Sequence, residues 1–308
     1  MKALFFNGQA LELKEDYSSP RRADDEALVK VLYAGICNTD REILKGYRPD
    51  FRGVLGHEFV GEVIESNDSS LIGKTVVGEL NKGCGHCKYC LSGMENHCIS
   101  REVLGISNHD GVFSEYLTWP NRLLHIVDED LDKKEALFTE PLAAALEICE
   151  REDIKPSSRV LLIGDGRLSY MIGQVVALTG ASLTVLGRHP EKLDVFKLFA
   201  DVIMERKETF PIVIDATGNP SGIERAMELV ENAGRIIVKS TYTENITLDL
   251  SEVVVRELRI SGSRCGPFRP ALNLLKKGYV SFPKIEFYPL DEYKRAFQSK
   301  SFKVGFEF

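Results

Sequence analysis

The run Val160-Leu-Leu-Ile-Gly164-Asp-Gly166-Arg-Leu-Ser169 reads as a short apolar strand, a tight glycine turn and the first turn of a helix. That order leaves a helix N-terminus open, with amides free to take the pyrophosphate of a dinucleotide. Ser169 stands where the pattern G-x-G-x-x-G has its third glycine, so the flanking strand and helix carry more weight than the motif. An ordinary strand-to-helix turn is the plainer alternative.

Working outward, helix-like and strand-like runs alternate on both sides of this turn. Helical stretches fall at 142–151, 168–178 and 221–231, and short apolar strands at 160–163, 183–186, 213–216, 235–238 and 258–263. Strands this apolar suit a parallel sheet covered by helices on both faces, an α/β, doubly wound arrangement of the Rossmann type. Upstream, to about residue 138, the pattern is different: runs at 26–32, 59–64, 75–77 and 113–117 are separated by Gly, Pro, Asn and Asp, as in a compact β-rich domain. After Gly266-Pro267 come a helical segment at 270–277, an extended segment ending at Pro289, a short helix from Asp291 and a last strand at 303–308. The expected division is therefore 1–139, 140–266 and 267–308.

The 308 residues are 44% hydrophobic and 28% charged, which excludes a disordered tail, a fibre and a small disulfide scaffold. With 39 basic against 46 acidic residues the net charge is −7, so no large positive field awaits nucleic acid. The apolar run after Lys2 stops at Phe6, short of a signal-peptide core. The uncharged stretch 168–187 contains polar side chains and breaks at Gly180 into helix and strand. A cytoplasmic chain with neither a membrane nor a nucleic-acid partner is the expectation.

Four of the seven cysteines lie in Cys84-Gly-His-Cys87-Lys-Tyr-Cys90 and, further on, Cys98. Thiolates at this spacing can close a tetrahedron around zinc on a single loop. Two disulfides would need an oxidising compartment, and a redox-active C-x-x-C is the other alternative. His86 and His97 are expected to be bystanders, and Cys149 and Cys265 structural. A closed four-thiolate site cannot catalyse, so a second cluster is needed for catalytic zinc. Candidates are Cys37 and Thr39 in Gly35-Ile-Cys-Asn-Thr-Asp40, His57 and Glu58 in Gly56-His-Glu-Phe-Val-Gly61, and Glu140 in Thr139-Glu-Pro141. Each has a plainer reading: a buried thiol for Cys37, a Thr39-x-x-Glu42 capping box, a hydrogen-bonded structural histidine, and an acid at a helix start for Glu140.

The second strand of the nucleotide unit ends Leu186-Gly187-Arg188-His189-Pro190, with no carboxylate before Glu191. A glycine that makes room and an adjacent guanidinium suit a 2′-phosphate, so NADP is expected in preference to NAD, and Gly187→Asp is expected to weaken NADP. The plainer reading leaves Arg188 as a solvated surface cation. The residues expected to touch the nucleotide are Gly164, Gly166, Arg167, Leu168, Gly187, Arg188, His189 and Thr217.

In this order the motifs resemble those of the zinc-dependent medium-chain alcohol dehydrogenases, over essentially the whole chain. The resemblance implies a GroES-like catalytic domain assembled from both ends of the chain, a Rossmann domain between them, and two zinc ions. It implies a catalytic zinc on Cys37, His57 and Glu140, with Glu58 either behind these ligands or exchanging with them. Thr39 would relay the substrate proton, Asp40 would orient the histidine, Lys303 would contact the pyrophosphate, and Cys84, Cys87, Cys90 and Cys98 would hold the structural zinc. The substrate would be a small-molecule alcohol or carbonyl compound, and the enzyme a homodimer or homotetramer. Arg41-Glu42, where the alcohol-oxidising branch carries a histidine, is similar to the sugar and polyol branch, and Glu140-Pro141 to sorbitol and threonine dehydrogenases. Rival classes are a zinc-independent NADPH reductase of activated double bonds or quinones, and a non-catalytic zinc-binding protein.

Overall fold

A computed structural model describes residues 1–205, 208–242 and 245–308. The chain divides into two compact units, Met1–Glu140 together with Phe268–Phe308, and Pro141–Pro267.

The first unit is built on the long strand Glu26–Ile36, whose buried faces carry Val29, Val31, Ala34 and Ile36. It pairs antiparallel with Glu58–Ser66 on one side and with the late strand Val304–Glu307 on the other, so chain separated by more than two hundred residues meets in one sheet. Seven strands belong to this sheet, and Tyr116–Pro120 also pairs with Glu26–Ile36. The run expected at 113–117 begins later because Phe113 turns into the core. There it makes edge-on contact with Phe306 at 5.1 Å, and strand pairing starts only at Tyr116. A three-stranded sheet of Leu11–Lys14, Ala3–Phe6 and Gly53–Val54, and a smaller one of Asn81–Lys82, Glu102–Leu104 and Asn108–His109, complete the unit.

The second unit is a six-stranded sheet, parallel throughout, in the order Asp201–Ile203, Ser182–Leu186, Arg159–Ile163, Phe210–Asp215, Val230–Val238, Arg259–Gly262. The strand order reverses between Arg159–Ile163 and Phe210–Asp215, and such a switch point opens a crevice at the carboxyl ends of the strands. Val160, Leu161, Leu162, Val213, Ile214, Ile236 and Ile237 are buried with essentially no exposure, as a doubly covered sheet requires. The helix expected at 221–231 is Pro220–Leu229, started by Pro220 and by Asn219, whose side chain accepts from the Ser221 amide. It yields to strand at Val230, whose β-branched side chain enters the core. The unit is a Rossmann-type sheet, as the alternation of elements indicates. Among the described residues no helix is long and apolar enough to cross a membrane.

Candidate active site

Three strand ends converge in the first unit. Cys37 follows the end of Glu26–Ile36, Glu58 opens its partner strand opposite Gly35, and Lys303 precedes Val304, which pairs with Ile36. Ligand atoms of Cys37, His57 and Glu58 lie within 4.8 Å of one another. Cys37 is the N-cap of the helix Asn38–Leu44. Its amide donates to Asp40 Oδ2 at 2.8 Å, so the cap is made by Asp40 and not by the Thr39/Glu42 box that the sequence offered. The Cys37 thiol lies 3.7 Å from the Thr39 hydroxyl.

His57 is 3% exposed and Asp40 fully buried, with His57 Nδ1 3.5 Å from Asp40 Oδ1. Burial pushes the imidazole toward neutrality, but the Asp40 carboxylate and Cys37 outweigh it and hold the histidine well above its ordinary pKa. Both facing atoms lack a hydrogen-bond partner among the described residues. An imidazole backed by a carboxylate on one nitrogen is the arrangement in which the other nitrogen binds metal. The donor set of thiol, imidazole and carboxylate suits zinc with an open position.

Glu140 is not among the grouped ligand atoms. Glu58 is, and it carries its own counter-charge. Lys303, expected at the pyrophosphate, is 4% exposed with its ammonium on Glu58 Oε2. Gly35 makes this possible: a Cβ there would fall 2.4 Å from Glu58 Oε2 and 3.0 Å from Lys303 Cε.

In the lobe, Cys84 Sγ lies 4.0 Å and Cys87 Sγ 3.6 Å from Cys90 Sγ, and the Cys84 amide donates to Cys98 Sγ at 3.3 Å. Bonds of about 2.3 Å to a tetrahedral zinc would set sulfurs about 3.8 Å apart, so the four thiols fit that ion. Amide donors from Cys90 and Tyr89 draw the Cys87 thiol down to about 6, whereas burial and the neighbouring thiols push Cys90 up to about 12. Four thiolates crowded this closely repel one another unless a cation joins them. His86 and His97 stand outside the group.

In the second unit Gly164 adopts φ +127°, and the helix Arg167–Leu178 starts at Gly166 with no side chain capping its amides. A Cβ at Gly166 would meet nothing within 4 Å. Open amides beside open space suit a pyrophosphate, and Arg167 and Leu168 form the first turn there. Ser169, in place of the third glycine, is buried and donates to the Ala216 carbonyl at 3.3 Å. The Thr217 hydroxyl donates to Asp215 Oδ1 at 2.8 Å, and the Tyr242 hydroxyl to Asp215 Oδ2. Gly187, Arg188 and His189 form the turn after the second strand, and both amides of Arg188 and His189 donate to Asp165, a residue to which the sequence reading gave no role.

Residues 23–129 match the alcohol dehydrogenase GroES-like domain. The chain is 28% identical over 314 residues to the D-arabitol-phosphate dehydrogenase of Enterococcus avium, covering 92% of this chain and 88% of that one. It superposes on a zinc-binding dehydrogenase of Sinorhizobium meliloti bound to NADP with a TM-score of 0.90 at 25% identity, covering 100% and 99% of the two chains. Against the RspB alcohol dehydrogenase of Escherichia coli CFT073 in complex with NADH the TM-score is 0.89 at 26% identity, again over 100% and 99%. The fold, with its GroES-like and Rossmann-type units, and these matches place the chain with the zinc-type medium-chain alcohol and polyol dehydrogenases. It is an oxidoreductase of that kind.

Two outcomes follow from the charges at Cys37, His57 and Glu58. Lys303→Met leaves Glu58 buried without a counter-charge and should cost about 3–5 kcal/mol of stability in denaturant unfolding, while adding Glu58→Gln should restore much of it. Because His57 holds its proton to higher pH than a free histidine, a metal must displace that proton. Zinc affinity at this cluster, measured by chelator competition, should therefore rise as pH is raised from about 6 to about 8, with proton release on binding.

Proposed function

We propose that the protein is a zinc-dependent dehydrogenase that transfers a hydride between the carbinol carbon of a polyol, sugar or amino alcohol and the nicotinamide of NAD(P). The observation that carries the reading is the group of half-buried Cys37 with buried His57 and Glu58, and Asp40 behind the imidazole, in a chain that also holds a glycine turn at an uncapped helix start. Zinc, when bound, supplies the Lewis acid that makes an alcohol proton removable near neutral pH.

The chain's own residues have separate tasks in this reading. Cys37 and His57 hold the ion, Asp40 fixes the orientation of His57, and Glu58, countered by Lys303, stands as an exchangeable ligand or a neighbour of the ligands. Glu140 keeps its place as a candidate ligand on resemblance alone. The Thr39 hydroxyl, 3.7 Å from Cys37 Sγ, is positioned to pass a proton away from the reacting oxygen. Cys84, Cys87, Cys90 and Cys98 hold a second zinc whose task is structural. Gly164, Gly166, Arg167, Leu168 and Thr217 receive the dinucleotide. For its form, Gly187 and Arg188 speak for NADP, and the carboxylate of Asp165, on the neighbouring turn, speaks for NAD.

The D-arabitol-phosphate dehydrogenase relative and the absence of a histidine after Asp40 favour a polyhydroxylated substrate over a simple alcohol. A reducing cytoplasm would keep the thiols available for metal. A homodimer or homotetramer is supported by the edge strand Arg259–Gly262 and by the neighbouring Val254 and Val255, which are 75% and 80% exposed.

Purified protein should reduce the nicotinamide cofactor with at least one polyol, aldose or amino alcohol, lose turnover on zinc chelation, and lose about a hundredfold or more on Cys37→Ser with the fold intact. Undiminished turnover in Cys37→Ser would favour the zinc-independent reductase. Zinc in the lobe without any turnover or dinucleotide binding would favour the non-catalytic zinc protein.

A further inference from the structure

The carboxylate missing from the end of the second Rossmann strand is present at that place, supplied by a different turn. Parallel pairing sets Ile163 beside Leu186, so the turns that follow, Gly164-Asp165-Gly166 and Gly187-Arg188-His189, are neighbours. Asp165 Oδ2 accepts from the Arg188 amide at 2.7 Å, the His189 amide at 2.9 Å and His189 Nδ1 at 2.9 Å. A Cβ built at Gly187 would lie 2.8 Å from Asp165 Cβ and 2.9 Å from Asp165 Oδ2. The Asp165 side chain thus fills the space that a side chain at position 187 would take. It follows that Gly187→Asp is no clean test of charge, because the new side chain would collide with Asp165.

We propose that Asp165 is the residue that selects the cofactor: its carboxylate accepts from an adenosine ribose hydroxyl and repels a 2′-phosphate, so that the protein takes NAD in preference to NADP. The inference rests on the dinucleotide reading given under Proposed function and decides which form of that cofactor the turn admits.

Three features carry it. First, the room left by Gly187 is already occupied. Second, the two amides that could grip a phosphate oxygen both point at Asp165 Oδ2, and the Arg188 guanidinium reaches Ser221 Oγ at 3.2 Å instead of standing free at the turn. Third, the carboxylate is anchored: it is 12% exposed and would break three hydrogen bonds on swinging away. Burial works against its charge, but the donors from His189 and Arg188 outweigh that and hold the acid below its ordinary range, so it is ionised at neutral pH. Among the described residues Oδ1 takes no hydrogen bond, which leaves it as the acceptor for ribose. A carboxylate in this position hydrogen-bonds the ribose in NAD-binding Rossmann sheets, where it comes from the strand end itself. Here the same group arrives from between the two glycines of the first turn.

The test uses ligands that need neither nicotinamide chemistry nor zinc: ADP-ribose and 2′-phospho-ADP-ribose, titrated calorimetrically into the whole protein. ADP-ribose should bind at least about tenfold more tightly, and Asp165→Asn, of the same shape without the charge, should narrow or invert that ratio by about tenfold. The wild-type ratio needs no variant, so the proposal stays testable if Asp165→Asn folds poorly. Tighter binding of the 2′-phosphate ligand by the wild type, or an unchanged ratio in a folded Asp165→Asn protein, would overturn it. Binding of neither ligand would instead overturn the dinucleotide reading beneath it.

Discussion

Asp40, His57, Glu58 and Lys303 are all less than 5% exposed and lie at one end of one sheet, and the first unit tolerates them because each charge faces its opposite. An unpaired charge at such depth costs several kcal/mol, so the pairs are a condition of the fold before they are a device for chemistry. The backbone supplies the condition. Glu26–Ile36 lies between Glu58–Ser66 and Val304–Glu307, and the registers of these ladders set Gly35 opposite Glu58 and Ile36 opposite Val304. A slip of one residue in either ladder would turn these side chains to the other face. The same three strand ends therefore position a thiol, an imidazole and a carboxylate, and neutralise what the burial of those groups would otherwise cost.

The second unit handles charge differently. Its glycine turn keeps helix amides open for an anion, while the turn beside it spends its own amides on Asp165. One turn is thus ready for a pyrophosphate and its neighbour has already been given a negative group. The cysteine lobe is a third solution, in which four thiols gather on one loop, Cys87 drawn low and Cys90 pushed high, at a spacing that a single cation would bridge.

How much of this was legible in the sequence depended on how local each interaction is. The four-cysteine lobe could be read from spacing because its ligands lie within one loop. The alternation from 142 to 263 announced the parallel sheet because buried strands are short and apolar. Cys37 and His57 were legible only through the resemblance, since either residue alone is more simply a structural group. Lys303 was expected at the pyrophosphate; its partner Glu58 is 245 residues away, and nothing in the local pattern reports a pairing at that distance. Asp165 went unread for a related reason. The sequence pattern places a ribose carboxylate at the end of the second strand, whereas the parallel register sets the Asp165 carboxylate beside that position from the first. The apolar period leaves Val230 ambiguous at the end of Pro220–Leu229, and core packing resolves it as strand.

In the proposed reading the chain holds two metal centres of different design, a closed one in the lobe and an open one where the three strands end. Anomalous diffraction at the zinc edge, from crystals of the zinc-loaded protein, tests it directly. Two peaks per chain are predicted, one about 2.3 Å from the sulfurs of Cys84, Cys87, Cys90 and Cys98 and one on Cys37 Sγ and the His57 imidazole. A single peak in the lobe, with Cys37 and His57 bare, would contradict the account.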